Sequence, residues 1–300
     1  MPDHDLAPVV LFVYNRPKHT KKTIESLLQN ELANETILYV FADGPPSNAG
    51  SEDKKKIYDT RDLIKSITGF KEVRLLEKQT NEGLATSIIN GVSEVIKKHH
   101  EVIVLEDDLV VAPTFLTYMN DGLRVYRHDY SVYSINGYMF PIKADVVDTF
   151  LCPLATSSWG WATWESKWAA FEPDIKYKGL IQSHPLIRQR FNFSDYDYAN
   201  MLELKSSWAI NWYYSVFIRN GLGLFPTRTL VQNIGFDGSG THGENTLQSD
   251  SLYEGKIEVV KKHFIDLETY AKMLDFFNEE KNRTFKSIVN RIKSKFKASK

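Results

Sequence analysis

Three consecutive acids, Glu106, Asp107 and Asp108, follow directly on the apolar run of residues 102–105. Crowded carboxylates repel one another unless a cation compensates them. A hard divalent ion such as Mg²⁺ or Mn²⁺ takes one or two carboxylates, keeps open positions and accepts phosphate oxygens there. On a strand, alternate side chains share a side, so Glu106 and Asp108 are expected together and Asp107 apart until the chain bends. A solvated acidic turn fits the same triplet. Asp43, in FADGPP, is a carboxylate that could accept bonds from a nucleobase or from sugar hydroxyls, and the Gly-Pro-Pro after it equally suits a turn that Asp43 caps for itself. Asn81 precedes Glu82-Gly83 and a helical pattern, where asparagine commonly serves as an N-cap. Trp159, Trp161 and Trp164 lie in one glycine-broken segment, SSWGWATW; indole faces suit either the C–H face of a pyranose or a core.

The elements that must position these residues alternate strand and helix. VVLFVY, residues 9–14, is a continuous apolar run of the kind buried on both faces of a sheet, and a helix is expected from Asn15-Arg16-Pro17, with Asn as cap and Pro in the first turn. ILYVF at 37–41, a loop-starting polar stretch, a helix through Tyr58, Leu63, Ile64 and Ile67, and a strand around 72–78 repeat the rhythm. The next helix carries the stripe Leu84, Ile88, Val92, Val95 and Ile96 and ends in Lys97, Lys98, His99 and His100, cations where the helix dipole favours them. The strand VIVLEDD and a helix through Phe115, Met119 and Leu123 follow. This order predicts an α/β fold with a mostly parallel central sheet flanked by helices, in which ligands sit beyond the carboxyl ends of the strands. From about residue 130 short strands alternate with aromatic loops, and residues 150–245 hold all six tryptophans. The expected organisation is a first half, 1–127, fused without a linker to a second half, 128–265, and then a helical basic tail, 266–300.

With 300 residues, 42% hydrophobic and 25% charged, and 37 basic against 38 acidic side chains, the chain can bury a large core. Its charge balance argues against wholesale disorder and against nucleic acid as a partner. The single cysteine, Cys152, cannot form an intrachain disulfide, and no run of 18 apolar residues or secretory leader is present, so a cytoplasmic location is expected. Residues 281–300 contain eight Lys or Arg and no acid, with Phe285, Ile288, Ile292 and Phe296 at three- or four-residue steps. Such a segment fits peripheral contact with an anionic membrane, or equally a frayed solvated end.

Taken together in order, VLFVYNRP, the Asp43 strand end, NEGLATSIINGV, VLEDDLVVAP, SSWGWATW and LVQNIGFDGSGTH resemble a GT-A fold glycosyltransferase. They look most like bacterial relatives of family 2 enzymes and of the N-acetylglucosaminyltransferase I group, over about residues 5–245. The resemblance implies inverting transfer of a sugar from a nucleotide diphosphate, a UDP-sugar by preference, to a glycan or lipid-linked glycan hydroxyl in surface polysaccharide synthesis. By the same resemblance, Tyr14, Asn15, Arg16, Asp43, Asn81, Glu106 and Asp107 would contact the donor. Asp108 and His242 would hold Mn²⁺ or Mg²⁺, and Trp159, Gly160 and Trp161 would wall the sugar or acceptor. Inversion needs a base for the acceptor hydroxyl. The chain departs from the family pattern here, reading SSWAINW at 206–212, and leaves Glu203, Asp197 and Asp195 as the nearby acids. Two rival classes stay open: a nucleotidyltransferase acting on sugar phosphates, and a catalytically silent glycan-binding module.

Overall fold

The protein is described from a computed structural model that covers residues 6–154, 157–192, 197–204, 207–237 and 251–279. The first half runs β1 (Val9–Val13), α1 (Pro17–Leu28), β2 (Ile37–Ala42), α2 (Ser51–Lys65), β3 (Glu72–Glu77), α3 (Leu84–His99), β4 (Glu101–Glu106), β5 (Leu109–Val111) and α4 (Phe115–Tyr126). The second half adds β6 (Val132–Asn136), β7 (Thr149–Cys152), β8 (Trp161–Trp164), α5 (Glu165–Trp168), α6 (Lys178–Ser183), α7 (Pro185–Phe191), α8 (Tyr198–Met201), α9 (Trp208–Phe217), β9 (Leu222–Pro226) and β10 (Val231–Asn233). Residues 267–279 are helical.

Eight strands form one sheet in the order β3-β2-β1-β4-β8-β6-β9-β7. β3, β2, β1 and β4 run parallel, with Val9 opposite both Leu38 and Ile103. β8 enters antiparallel between β4 and β6, and β9 lies parallel to β6 but antiparallel to β7. This is the mostly parallel α/β sheet expected, made mixed by the antiparallel entries of β8 and β7, and it has the GT-A architecture. The buried strands explain their composition: β1 is apolar at every position because helices cover both faces. Val9, Leu11 and Val13 pack with Ile24 and Leu27 of α1 and with α4, whereas Val10 and Phe12 pack with Ile88, Val92 and Val95 of α3. The segment after residue 251 passes from one face to the other. Ile257 joins the α1/α4 core, Ile265 pairs with Leu151 at the β7 edge, and Met273 and Phe277 join the α3 core.

Two local expectations change. Asn15 does not cap α1; Arg16 occupies the N-cap position, because Pro17, which needs no N–H partner, takes the first helical turn. Asn81 does not cap α3 either, since that position falls to Gly83, whose φ of +83° suits glycine.

Candidate functional site

The site is assembled where β1, β2 and β4 end. α1 is fastened to the acidic turn by buried polar contacts: the Thr23 hydroxyl donates to the Asp107 carbonyl at 2.9 Å, and Ser26 Oγ accepts the Val111 N–H at 3.1 Å. This brings Arg16, at the start of α1, onto the acids. One guanidinium nitrogen, Nη2, donates to Asp107 Oδ1 and, at 2.8 Å, to Asp108 Oδ2. The strand-parity expectation therefore changes. β4 stops at Glu106, the chain turns, and Asp107 and Asp108, rather than Glu106 and Asp108, converge on one cation.

The electrostatics follow from this crowding. Burial, then Asp108 and Asp107, push the Glu106 carboxyl up to about 8, against the pull of Arg16. Burial also raises Asp107, to about 6, although Arg16 opposes the shift. Burial works against the charge of Arg16, but Asp107 and Asp108 outweigh it and raise its pKa.

Tyr14, Asp43 and Asn81 form a second group. Burial and the Asp43 and Asp53 charges raise the Tyr14 phenol, against a hydrogen bond with Asn81. Asp43 is 7% exposed, and its carboxylate accepts the N–H groups of Gly44 at 2.8 Å, Glu82 at 2.9 Å and Gly83 at 2.9 Å. It thus closes its own turn and ties the β2 end to the start of α3. Asn81 Nδ2 donates to the Gly44 carbonyl at 3.2 Å. Asn15 is half-buried in the turn between β1 and α1. Arg61 is buried and donates to the carbonyls of Asp43 and Lys78, so it supports this loop from beneath.

β10 closes the site from the second half. It pairs antiparallel with β5, and the Ile234 N–H donates to the Asp108 carbonyl at 2.9 Å. Gly235 then lies flat on the carboxylate: a Cβ there would sit 2.1 Å from Asp108 Oδ2. Asp237 is tied back to α1 by His19, with Nε2 to Oδ2 at 3.1 Å. His242 lies outside the described residues. Between Gly235 and Asp237, Phe236 approaches Trp159 with ring centroids 5.6 Å apart, and Trp159 meets Tyr138 edge-on at 4.5 Å. Asn136 at the end of β6 holds this loop by accepting the Ser157 N–H at 2.8 Å. Phe236 escaped sequence reasoning; an isolated phenylalanine in a glycine-rich loop carries no periodic signal. Gly160 is buried with φ +69°, and Trp161, fully buried, points into the opposite core and offers no ring face to a sugar.

The remaining acids sit elsewhere. Asp197 caps α8 and pairs with Arg188 at 2.5 Å, and Glu203 is exposed, bound by Lys178 at 2.7 Å and Gln182 at 2.9 Å. Both belong to the helical layer on the α3 face, whose buried members include Ala199 and Leu202. Asp195 lies outside the described residues.

Residues 9–148 match the sequence profile described as Glycosyl transferase family 2. Residues 9–148 are a family 2 glycosyltransferase domain. No curated protein matches the chain at a significant level. Solved structures similar to it include a mannosyltransferase from Pyrobaculum calidifontis in complex with GDP-Man and Mn²⁺, at 14% identity over 54% of this chain and 48% of that one, TM-score 0.35. Others are a mannose-1-phosphate geranyltransferase from Thermus thermophilus, at 11% identity over 77% and 76%, TM-score 0.36, and mouse xyloside xylosyltransferase 1, at 8% over 70% and 80%, TM-score 0.37. The chain spans about half the length of the mannosyltransferase. The family 2 domain carries every strand-end residue described above, and the turn that follows β10, from beyond it, supplies Gly235 and Phe236.

The donor set at Asp107 and Asp108 fits a hard divalent cation. Asp107, buried, and Asp108, half-buried, bring two carboxylates against the single positive charge of Arg16, so a carboxylate charge is left over that Mg²⁺ or Mn²⁺ could take up together with the oxygens of a bound phosphate. Among the described residues no three His, Cys, Asp or Glu side chains are gathered to hold a metal alone. Among the described residues no helix is long and apolar enough to cross a membrane.

Proposed function

We propose that the chain transfers a sugar, with inversion, from a nucleotide diphosphate donor, a UDP-sugar by preference, to a hydroxyl of a glycan or lipid-linked glycan in surface polysaccharide synthesis. The observation that carries this reading is the acidic end of β4 gathered by Arg16 inside a family 2 domain. Tyr14, Asn15, Asp43 and Asn81 form the nucleotide side. Arg16, Glu106 and Asp107 face the diphosphate and sugar. Asp108 would hold Mg²⁺ or Mn²⁺ together with His242 and donor oxygens. A bound cation there supplies charge neutralisation for the departing diphosphate. Trp159 and Phe236, the latter one residue after the Gly235 that abuts Asp108, are the proposed aromatic wall, and stacking on it would orient a pyranose.

Glu203 is the proposed acceptor base, ahead of Asp197, which caps α8; since Glu203 lies in the helical layer on the α3 face and is bound by Lys178 and Gln182, the role requires the acceptor to approach from that layer and displace those contacts. Near-normal transfer by Glu203→Gln at saturating substrates would remove it from that role. The basic segment 281–300, outside the described residues, is proposed as a peripheral contact with anionic lipid.

The test is calorimetric binding of a panel of nucleotide sugars with and without Mn²⁺, followed by mass detection of donor hydrolysis. Metal-dependent binding of one donor, lost in folded Asp108→Ala, is expected. Silence across the panel from folded protein would favour a glycan-binding module. Turnover of a nucleoside triphosphate with a sugar phosphate would favour a nucleotidyltransferase.

A further inference from the structure

The inference rests on the reading of Asp108 as the cation ligand and concerns what stands there before a cation arrives. The oxygen Asp108 Oδ2 is enclosed on two sides. Arg16 Nη2 donates to it at 2.8 Å, and Gly235 lies so close that even a methyl group there would fall 2.1 Å from it and 3.1 Å from Arg16 Nη1. The ion pair is shielded from solvent, the side chains of Arg16, Asp107 and Asp108 being 19%, 6% and 14% exposed. Screening by salt is therefore weaker than at a surface pair. Nor is Arg16 free to leave with its backbone: it caps α1, and Thr23, on the same helix, holds the Asp107 carbonyl.

Mg²⁺ binds a carboxylate oxygen at about 2.0–2.1 Å. A guanidinium N–H that stays on an oxygen so engaged holds two positive charges within a few ångströms of each other, a repulsion that is costly where solvent screens it little. Asp107 offers Arg16 an alternative acceptor that the same nitrogen already contacts.

We propose that Arg16 is the internal counter-cation of the Asp107–Asp108 pair, and that Mg²⁺ or Mn²⁺ competes with it for Asp108, the guanidinium shifting off that carboxylate and remaining on Asp107. The cation alone then binds more weakly than two such carboxylates would otherwise bind it. Any anion that draws Arg16 away strengthens cation binding, and the cation strengthens binding of that anion by the same factor.

The test uses the full chain and the metal alone. Free Mn²⁺ is read by electron paramagnetic resonance during titration of wild type, Arg16→Gln, Arg16→Lys and Asp108→Asn. Arg16→Gln should bind Mn²⁺ at least tenfold more tightly than wild type, and Arg16→Lys should lie between them. Unchanged or weaker binding by folded Arg16→Gln overturns the proposal and leaves Asp108 as ligand, provided Asp108→Asn has lost the ion. Persistent binding by Asp108→Asn overturns both. Because removing a positive charge would tighten binding by itself, and because Arg16→Gln could fail to fold, a second measurement uses wild type. In protein labelled with ¹⁵N-arginine, Mg²⁺ saturation should shift the Arg16 guanidinium signals, and an unmoved Arg16 refutes the exchange.

Discussion

On the α1 face of the sheet, a guanidinium meets two carboxylates just past β4. On the α3 face, four indoles, Trp161, Trp168, Trp208 and Trp212, pack with ring centroids 5.1 to 6.2 Å apart. Both clusters are built from residue types that invite a functional reading, yet only the first lies at strand ends with partly exposed members. The turn after Glu106 frees Asp107 and Asp108 from strand parity, and the turn after β10 sets Gly235 against Asp108, with Phe236 the next residue along. The indoles are sealed: Trp161 and Trp212 are fully buried. Gly160 separates the two uses within three residues, turning Trp159 toward Phe236 and Trp161 into the opposite core.

The largest expected effect breaks or confirms this division. Trp161→Ala should cost about 3–5 kcal/mol, the range for removing a large buried aromatic side chain. Trp159→Ala, at a half-buried position, should cost roughly 1–2 kcal/mol. Urea unfolding of the two variants measures the difference, and equal losses would dissolve the contrast between a structural and a ligand-facing tryptophan. The next effect lies on the site side. Asp43→Ala leaves three backbone N–H groups unpaired and should destabilise by about 1–3 kcal/mol. It should also loosen amide exchange at Glu82 and Gly83. Unchanged stability would mean that this carboxylate serves a ligand alone.

What could be read in the sequence divides along the same lines. β1 to β4 and α1 to α4 were legible because each carries its own signal: continuous apolar strands, stripes at helical spacing, and cations at the α3 end. Their parallel order followed from the alternation alone. The pairing of β8 between β4 and β6 was not legible, since antiparallel insertion depends on contacts far apart in the chain. At the site, the acids and Asp43 stood out as residue types at strand ends. Their partners did not. Arg16 reaches the acids across 91 and 92 positions, and nothing local marks which arginine will do so. Phe236 and the His19–Asp237 pair depend likewise on β10 finding β5.

A smaller effect sharpens the contrast between the aromatic groups. Phe236→Ala should change stability by less than about 1 kcal/mol, because the ring is half-buried on a loop. It should instead narrow the affinity gap between a nucleotide sugar and its bare nucleoside diphosphate, measured by calorimetry. An unchanged gap would remove Phe236 from the sugar wall and leave Trp159 to act alone.

The smallest effect concerns the segment that joins the two faces. Where this strap crosses from Ile257 toward Ile265, Lys261 lies 3.3 Å from Asp129, and Asp129 also accepts the hydroxyl and N–H of Ser131. Burial opposes ionisation of Asp129, but the Ser131 bonds and the Lys261 ammonium outweigh it and hold its pKa below the usual carboxylate value. A depressed folded pKa means that the unfolded chain binds the proton more readily. The stabilisation is therefore complete above the unfolded value of about 3.9 and is lost as pH falls through the folded one. Asp129→Asn should lose about 0.5–1 kcal/mol at pH 6 and progressively less as pH falls below the unfolded value, so the wild-type and variant melting curves converge on acidification. If they stay parallel, Asp129 does not fasten the strap through its charge, and the two faces are joined by the apolar anchors Ile257, Met273 and Phe277.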